Sequence, residues 1–239
     1  MKIGLVQTGA IGDIVIALPI ACYYLNQGHE VYWPIDKRFV GFFSEAEPRV
    51  TFIPVDSDRG TNTLEYFLQD PYAYLGKVGC DKMFTLYSYL TGINLGHPRL
   101  SWSLKFDEYK YAVAGVPFEE KWNLKIVRNF DREQMLREML NLKKDYVVIH
   151  EEGGVGSNFK LEIKIPDDIA DTHQIVRIQP LTSSPFDWIT IFEGAKQVAM
   201  IDCLHANIIE QLRIPVQKTL YLRVPINTTP VYASGWKFK

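Results

Sequence analysis

The sequence predicts an α/β protein built from two small parallel-sheet domains in tandem. Three observations predict this class. Short apolar runs alternate with helical patterns, glycine turns follow two of the strand-like runs, and the pattern loses its period once, around residues 119–129. Alternation of this kind forms a parallel sheet covered by helices. The chain has 239 residues, 47% of them hydrophobic, which is enough for one large core or two small ones.

The first half is predicted to contain four strands, at Lys2–Val6, His29–Trp33, Val50–Val55 and Lys82–Leu86. The clearest helix is Asp13–Asn26, whose apolar residues share one face: Ile14, Ala17, Leu18, Ala21 and Leu25. It ends at Gln27-Gly28, because glycine commonly follows a helix. Residues 90–98 are predicted to form a loop, and a helix is predicted over Leu104–Ala114.

The second half begins with a short charged helix, Asp131–Asn141, in which Asp131 is the expected cap. Four strands and two helices follow in alternation: Tyr146–His150, Gln174–Ile178, Val198–Ile201 and Lys218–Leu222 as strands, and Pro185–Gln197 and Leu204–Leu212 as helices. We therefore predict one domain over residues 1–130 and a second over 131–239, whose tail is able to pack back on the first.

Bulk composition narrows the function classes. A net charge of -2, from 26 basic and 28 acidic residues, argues against a surface built mainly for nucleic acid or anionic membrane. Three widely spaced cysteines form neither a disulfide framework nor a zinc pattern. The sequence shows no signal peptide and no apolar run of about 18 residues. We expect a cytoplasmic protein without a transmembrane segment, and the oligomeric state stays open.

The N-terminal turn is the first candidate site. Gly9, Ala10, Ile11 and Gly12 join an apolar strand to a helix, and Asp13 lies where that helix begins. The positive helix end would hold the Asp13 carboxylate ionised, so it could accept a proton from a hydroxyl group. The alternative is that Asp13 only caps the helix.

A dinucleotide site is another interpretation of the same turn. The G-x-G-x-x-G fingerprint would need glycine where Gln7 stands, although Asp36, after the second strand, could act as the acid that binds a ribose. An NAD-dependent oxidoreductase with a Rossmann domain is therefore the alternative function from a different enzyme class.

A glycine loop after the strand Tyr146–His150 is the second candidate site. Its backbone N–H groups could wrap a diphosphate, with these candidate residues: Glu152, Gly153, Gly154, Gly156, Ser157, Lys160 and Lys164. Glu151 and Glu152 disfavour an anion unless their side chains face elsewhere, for instance toward ribose hydroxyls. The alternative is a surface loop without a ligand.

The third candidate lies at a strand-to-helix junction, where open α/β sheets bind ligands. Its residues are Asp202, Cys203, Leu204, His205, Asn207 and Glu210. The alternative makes Asp202 a helix cap and His205 a partly exposed helix residue. No histidine has metal-ligand spacing with another histidine, cysteine or carboxylate along the chain, so we expect no metal.

With these residues in view, the chain resembles glycosyltransferases of the GT-B fold, and most of all the ADP-heptose lipopolysaccharide heptosyltransferase family. The matching segments are Gly9–Val15 with Leu18-Pro19, Gly28–Val31, Ala199–Cys203 and Glu210–Val216. The matching segments lie in both halves of the chain, and the match is discontinuous and weak between about residues 40 and 140. It implies two Rossmann-like domains that face a cleft, the second one reduced.

The resemblance also implies an inverting, metal-independent transfer in which Asp13 deprotonates the acceptor hydroxyl. The nucleotide sugar is then a substrate, no cofactor is needed, and the glycine loop and the helix near Cys203 hold the donor phosphates. The sequence departs from the family at its donor motif, Asp-Ser-Gly with a histidine five positions after the aspartate. In this chain the histidine, His205, comes three positions after Asp202, and Asn207 stands five positions after it. The identity of the donor therefore does not carry over from the family.

We expect the acceptor to be a hydroxyl group on a surface saccharide or, as a variant, on a modified nucleobase in DNA. A DNA acceptor needs a positive cleft, for which the candidates are Lys121, Lys125, Arg128, Arg132 and Arg137. Charges on a helix are more often a solvated face. A third possibility is a non-catalytic protein that binds a nucleotide or sugar without transferring it.

Overall fold

The structure is a computed structural model that describes residues 1–58, 60–89, 96–153 and 159–239. The chain divides into two compact units, Met1–Val127 and Arg128–Lys239. Each unit is built around its own parallel sheet. The predicted α/β class with Rossmann-like sheets is confirmed.

The first unit has a parallel sheet of four strands: β1 (Lys2–Val6), β2 (Glu30–Asp36), β3 (Val50–Val55) and β4 (Lys82–Thr85). Their spatial order is β3-β2-β1-β4. The helices described in this unit are α1 (Ile11–Asn26), α2 (Val40–Ala46), α3 (Asp70–Val78), α4 (Pro98–Ser103) and α5 (Phe106–Ala114). A π-helical turn, Glu65–Gln69, leads into α3, and a 3-10 turn, Phe118–Trp122, follows α5.

Helix α1 is buried on several sides, whereas the sequence pattern predicts a single buried face. Every residue from Ile14 to Cys22 is buried, because α5 and the 3-10 turn after it pack against α1 as well. Strand β1 is also buried from Ile3 to Val6. A strand covered on both faces is typical of parallel sheets. The N-terminal turn between β1 and α1 therefore lies between two well-anchored elements.

The second unit has a parallel sheet of five strands: β5 (Tyr146–His150), β6 (Gln174–Arg177), β7 (Gln197–Ile201), β8 (Gln217–Tyr221) and β9 (Trp236–Phe238). Their order is β6-β5-β7-β8-β9. The helices described here are α6 (Phe130–Met139), α7 (Asp167–Ala170), α8 (Ile189–Gly194) and α9 (Leu204–Gln211). Two 3-10 turns lie at Pro185–Trp188 and Ile226–Thr228.

Several predicted boundaries are wrong for identifiable reasons. The cap of α6 is Asn129, whose side-chain oxygen accepts a hydrogen bond from the Arg132 N–H, and not Asp131. The helix predicted to reach Gln197 ends at Gly194, because Lys196 already bonds to Tyr146 and Gln197 begins β7. Of the loop predicted at 90–98, residues 90–95 lie outside the described residues, and Pro98 begins α4.

Each described sheet has one switch point, which is the place where the strand order reverses. In the first sheet β1 has β2 on one side and β4 on the other, and in the second β5 has β6 on one side and β7 on the other. Loops at the carboxyl ends of such neighbouring strands diverge and leave room for a ligand. The first switch point is flanked by the N-terminal turn, and the second by the residues after His150 and Ile201.

None of the described helices combines the length and apolar character needed to cross a membrane.

Candidate functional site

The N-terminal turn holds a strained residue where α1 begins. Ala10 has φ 58° and ψ 88°, a left-handed conformation that costs an alanine about 1–2 kcal/mol. Its carbonyl accepts hydrogen bonds from the N–H groups of Asp13, at 2.8 Å, and Ile14, at 3.2 Å. Asp13 is thus the third residue of the helix. The interpretation of Asp13 as the cap is wrong, since Ala10 takes that position without a side-chain hydrogen bond.

The Asp13 carboxylate faces a buried lysine. The Lys110 Nζ lies 2.8 Å from Asp13 Oδ1; the lysine side chain is 2% exposed and that of Asp13 30%. Lys110 also donates to Gln7 Oε1 at 2.7 Å and to the Leu86 carbonyl at 3.1 Å. The three N–H groups of the ammonium therefore have three acceptors. This network fixes a carboxylate that remains accessible to solvent at the first switch point.

Side chains of the turn itself and of the neighbouring strands order the backbone of the turn. The Gln7 amide donates to the Gly9 carbonyl at 2.9 Å, and the Trp33 indole donates to the Gln7 carbonyl at 3.1 Å. The hydroxyl of Tyr87, which follows β4, accepts from the Thr8 N–H at 2.6 Å. Burial raises the pKa of Tyr87 to about 12, so this hydroxyl stays protonated at neutral pH. The turn is therefore held from three directions.

Gly9 is required by a close neighbour. A Cβ atom added at Gly9 would lie 2.7 Å from the hydroxyl oxygen of Tyr66. That hydroxyl donates to Asp36 Oδ2 at 2.9 Å, and Arg38 pairs with the same carboxylate at 2.6 Å. Burial by itself would raise the pKa of Asp36, but the hydrogen bonds from Arg38 and Tyr66 outweigh it and lower this pKa. Asp36 is fully buried, with Arg38, Tyr66 and Ser57 as partners, which disfavours its predicted role on a ribose.

The second switch point brings His150, Cys203 and His205 together. One potential ligand atom from each residue lies within 4.8 Å of the others, and all three side chains are partly buried. Burial lowers the pKa of His205 to about 3, with His150 adding to the effect, and raises the pKa of Cys203 to about 12. Burial likewise lowers the pKa of His150. The rings are uncharged at neutral pH.

Other predicted donor residues near β7 serve the packing of the second unit. Asp202 accepts from the Tyr232 hydroxyl at 2.6 Å. Asn207 is buried and its side chain donates to the Cys203 carbonyl at 2.9 Å, while its Oδ1 is buried without a hydrogen-bond partner in the described part of the chain. Cys203 is the cap residue of α9, and not Asp202 as the alternative interpretation had it. Leu204 is the first residue of that helix.

Glu210 anchors the end of the chain. Its fully buried carboxylate accepts hydrogen bonds from Ala233 N–H at 2.7 Å, from the Ser234 backbone and hydroxyl, and from the Trp236 indole at 2.8 Å. These contacts hold β9 against β8. The structure thus gives Glu210 a role in placing the C-terminal strand, in place of the predicted contact with the donor.

The described residues on either side of the glycine loop pair in antiparallel fashion. Gly153 donates to the Phe159 carbonyl at 2.8 Å, and Glu152 forms a bridge and an exposed ion pair, at 3.4 Å, with Lys160. Glu151 turns away from the loop, accepting from the Ile163 N–H at 2.8 Å and from Arg177 at 3.2 Å. Lys164 is exposed. Gly154, Gly156 and Ser157 lie outside the described residues and stay predictions.

Three of the five predicted cations of a nucleic-acid surface are paired with carboxylates. Lys121 is fully buried and lies 2.7 Å from Asp107. Arg128 contacts Glu133 and Glu193, and Arg132 contacts Asp187 at 2.7 Å. These pairs neutralise much of the positive charge that a DNA acceptor would need.

Solved structures share this fold over the whole chain. A glycosyl transferase of family 9 from Veillonella parvula has a TM-score of 0.62 and 12% identity, covering 100% of this chain and 86% of that one. E. coli ADP-heptose lps heptosyltransferase II has a TM-score of 0.61 and 9% identity, covering 100% of this chain and 90% of that one. E. coli heptosyltransferase WaaC with ADP has a TM-score of 0.54 and 13% identity, covering 100% of this chain and 92% of that one. The fold is that of these glycosyltransferases.

At identities of 9–13%, this likeness is one of fold. The sequence matches no protein-family model and has no significant sequence match among curated proteins. The GT-B resemblance inferred from the N-terminal and β7 segments is therefore supported at the level of the fold.

Sequence reasoning missed the residues that hold the N-terminal turn. Lys110 lies on α5 and Tyr87 follows β4, and neither stands in a motif. Burial of a lysine between Tyr109 and Tyr111 leaves no signal in a single sequence. In the sequence His150 stands only at the end of a predicted strand, because Cys203 and His205 follow a different strand.

We expect Gly9→Ala to destabilise the first unit by about 1–3 kcal/mol, because the new Cβ collides with the Tyr66 hydroxyl. Gly41→Ala is the matched control: its Cβ meets nothing within 4 Å, and alanine favours α2 by up to about 1 kcal/mol. Urea unfolding measures both. The double variant Gly9→Ala with Tyr66→Phe should recover part of the loss, and a Gly9→Ala protein as stable as wild type contradicts the packing described.

Proposed function

We propose that this protein is a glycosyltransferase that moves a sugar from a nucleoside-diphosphate sugar to an acceptor hydroxyl. The observation that supports it best is the partly exposed Asp13 carboxylate, held by buried Lys110 at the first switch point. The fold is shared with a heptosyltransferase solved with ADP and with another solved with ADP-D-beta-D-heptose. A carboxylate placed in this way is suited to accept a proton.

In the proposed reaction Asp13 is the general base. The acceptor oxygen attacks the anomeric carbon from the face opposite the diphosphate, and its proton passes to the Asp13 carboxylate. A bond forms between the acceptor oxygen and the anomeric carbon, and the bond from that carbon to the phosphate oxygen breaks. The nucleoside diphosphate leaves with the electron pair, and the configuration at the anomeric carbon inverts.

The donor is proposed to bind the second unit at its switch point. The amino end of α9 carries the positive end of the helix dipole, which favours a phosphate group. Lys160 and Lys164 are exposed cations near the ends of the glycine loop. Cys203, His205 and the loop residues Gly153, Gly154, Gly156 and Ser157 stay predicted donor contacts. In this proposal the base and these positive groups supply the chemistry, so the transfer step needs no metal.

We propose a saccharide hydroxyl as the acceptor, bound mainly by the first unit beside Asp13. A modified nucleobase is less favoured, because Lys121, Arg128 and Arg132 are paired with carboxylates. The NAD-dependent alternative is weakened by the contacts that occupy Asp36. A non-catalytic binding protein would share the donor site and lack the base function of Asp13.

Asp13→Asn tests the base. Asparagine keeps the size of the side chain and cannot accept the proton, so we expect the transfer rate of the folded variant to fall by about 100-fold or more, with donor affinity unchanged. Loss of the charge opposite Lys110 also lowers the stability of the variant, so circular dichroism checks that it is folded. Release of nucleoside diphosphate from a panel of nucleotide sugars, with saccharide acceptors, measures the rate. Asp70→Asn, in the first turn of α3, is the control and should retain full activity. An Asp13→Asn protein as active as wild type removes the base from the mechanism.

Ligand-induced stabilisation separates the proposed enzyme classes. A nucleoside diphosphate at about 100 times its dissociation constant should add about 2.7 kcal/mol to the stability of the folded protein. Thermal unfolding with ADP, GDP, UDP and NADH shows which nucleotide binds. We expect at least one diphosphate to raise the melting temperature and NADH to leave it unchanged. Stabilisation by NADH alone would favour the oxidoreductase.

Chelation tests the independence of the transfer from metal ions. After treatment with EDTA and removal of the chelate by gel filtration, we expect the transfer rate to match that of untreated protein. A rate that disappears on chelation and returns with Mg²⁺ or Mn²⁺, which prefer oxygen ligands, would show that a metal takes part in the reaction.

A further inference from the structure

The cluster of His150, Cys203 and His205 has the composition and placement of a metal site. His150 ends β5, and the other two residues begin α9 directly after β7. Strands β5 and β7 are neighbours, with His150 opposite Met200. The three side chains therefore converge at one edge of the sheet, with a ligand atom of each within 4.8 Å of the others.

The surroundings of His205 point to a ligand at its ring. Its Nδ1 is buried and has no hydrogen-bond partner in the described part of the chain. The rings of Trp188 and Phe192 lie 6.3 Å and 5.8 Å from its centroid, and the His150 ring lies 5.6 Å away. Buried polar atoms are nearly always satisfied, so an unpaired nitrogen beside a thiol and a second imidazole calls for an explanation.

The donor set selects the kind of ion. Two imidazole nitrogens and one sulfur suit zinc, whereas magnesium and calcium require oxygen ligands. Zinc lies about 2.0–2.1 Å from nitrogen and about 2.3 Å from sulfur. With one sulfur in the set, ligand atoms on a tetrahedral zinc are therefore about 3.3–3.6 Å apart. Closing the present spread of up to 4.8 Å takes shifts of about 1 Å, which side-chain rotation supplies.

We propose that His150, Cys203 and His205 bind one Zn²⁺ ion, whose fourth position takes water or an anion. On binding, the Cys203 thiol loses its proton to solvent and the sulfur bonds to zinc. The ion ties the end of β5 to the start of α9. This inference rests on the geometry of the second unit, and the ion takes no step in the proposed transfer. With zinc bound, Cys203 and His205 are ligands of the ion and replace the direct donor contacts predicted for them.

Cobalt is the probe, because Co²⁺ occupies such sites and reports a bound thiolate by a charge-transfer band in the near ultraviolet. Titration of the full chain with Co²⁺ should give this band with saturation at one ion per chain, and Zn²⁺ should abolish the band. Zn²⁺ should also raise the melting temperature. Cys80→Ser, which removes a partly buried thiol elsewhere, is the matched control and should behave as wild type.

Cys203→Ser should abolish the charge-transfer band and the thermal stabilisation by Zn²⁺. His150→Gln should weaken Co²⁺ binding by at least about tenfold, since even groups behind a ligand change metal affinity by this amount. Circular dichroism confirms that each variant is folded, and a His205→Gln variant gives a second independent ligand test. Absence of the band in wild-type protein, or its survival in Cys203→Ser, overturns the proposal.

Discussion

The ion pair between Asp13 and Lys110 is the interaction on which the candidate site depends. A lysine that is almost fully buried must have its charge compensated, since removing one partner of a buried pair costs about 3–5 kcal/mol. Asp13 supplies that charge, and Gln7 and Leu86 accept the remaining N–H groups. The ammonium thus links α1, β1, the end of β4 and α5 at one point. A carboxylate left partly exposed by this network can still meet a substrate.

The strained backbone of the turn follows from the same arrangement. Ala10 adopts a left-handed conformation so that α1 can begin immediately after the turn, and Gly9 leaves space for Tyr66. Tyr87, Trp33 and Gln7 supply hydrogen bonds that compensate for this strain. Backbone strain that the surroundings over-determine is common at functional sites. The turn is therefore a rigid support for Asp13.

Much of the fold could be predicted because local patterns determine it. The apolar runs at Lys2–Val6, Val50–Val55 and Tyr146–His150 become β1, β3 and β5 with the predicted bounds. The predictions miss β9, which lacks a recognisable run and depends on the distant Glu210 carboxylate and on pairing with β8. Short helices such as α2 and α3 were missed for a similar reason, since tertiary packing stabilises them more than their own periodicity does.

The site was predictable only in part. Asp13 and the glycine turn stand in one contiguous motif, so sequence spacing identifies them. Lys110 joins them through the fold alone, and His150 joins Cys203 and His205 only because β5 and β7 pair. Spacing along the chain therefore predicted no metal site, whereas the pairing of β5 with β7 brings one potential ligand atom of each of these three residues within 4.8 Å of the others. Long-range side-chain networks of this kind have no period that a single sequence reveals.

A crystal structure with a nucleoside-diphosphate sugar bound tests the central claim most directly. The account predicts the diphosphate at the amino end of α9 and the Asp13 carboxylate within about 6 Å of the anomeric carbon, which leaves room for one acceptor oxygen between them. It also predicts that Lys110 keeps its contact with Asp13. A donor bound away from both switch points, or an Asp13 carboxylate directed away from the sugar, would contradict the account.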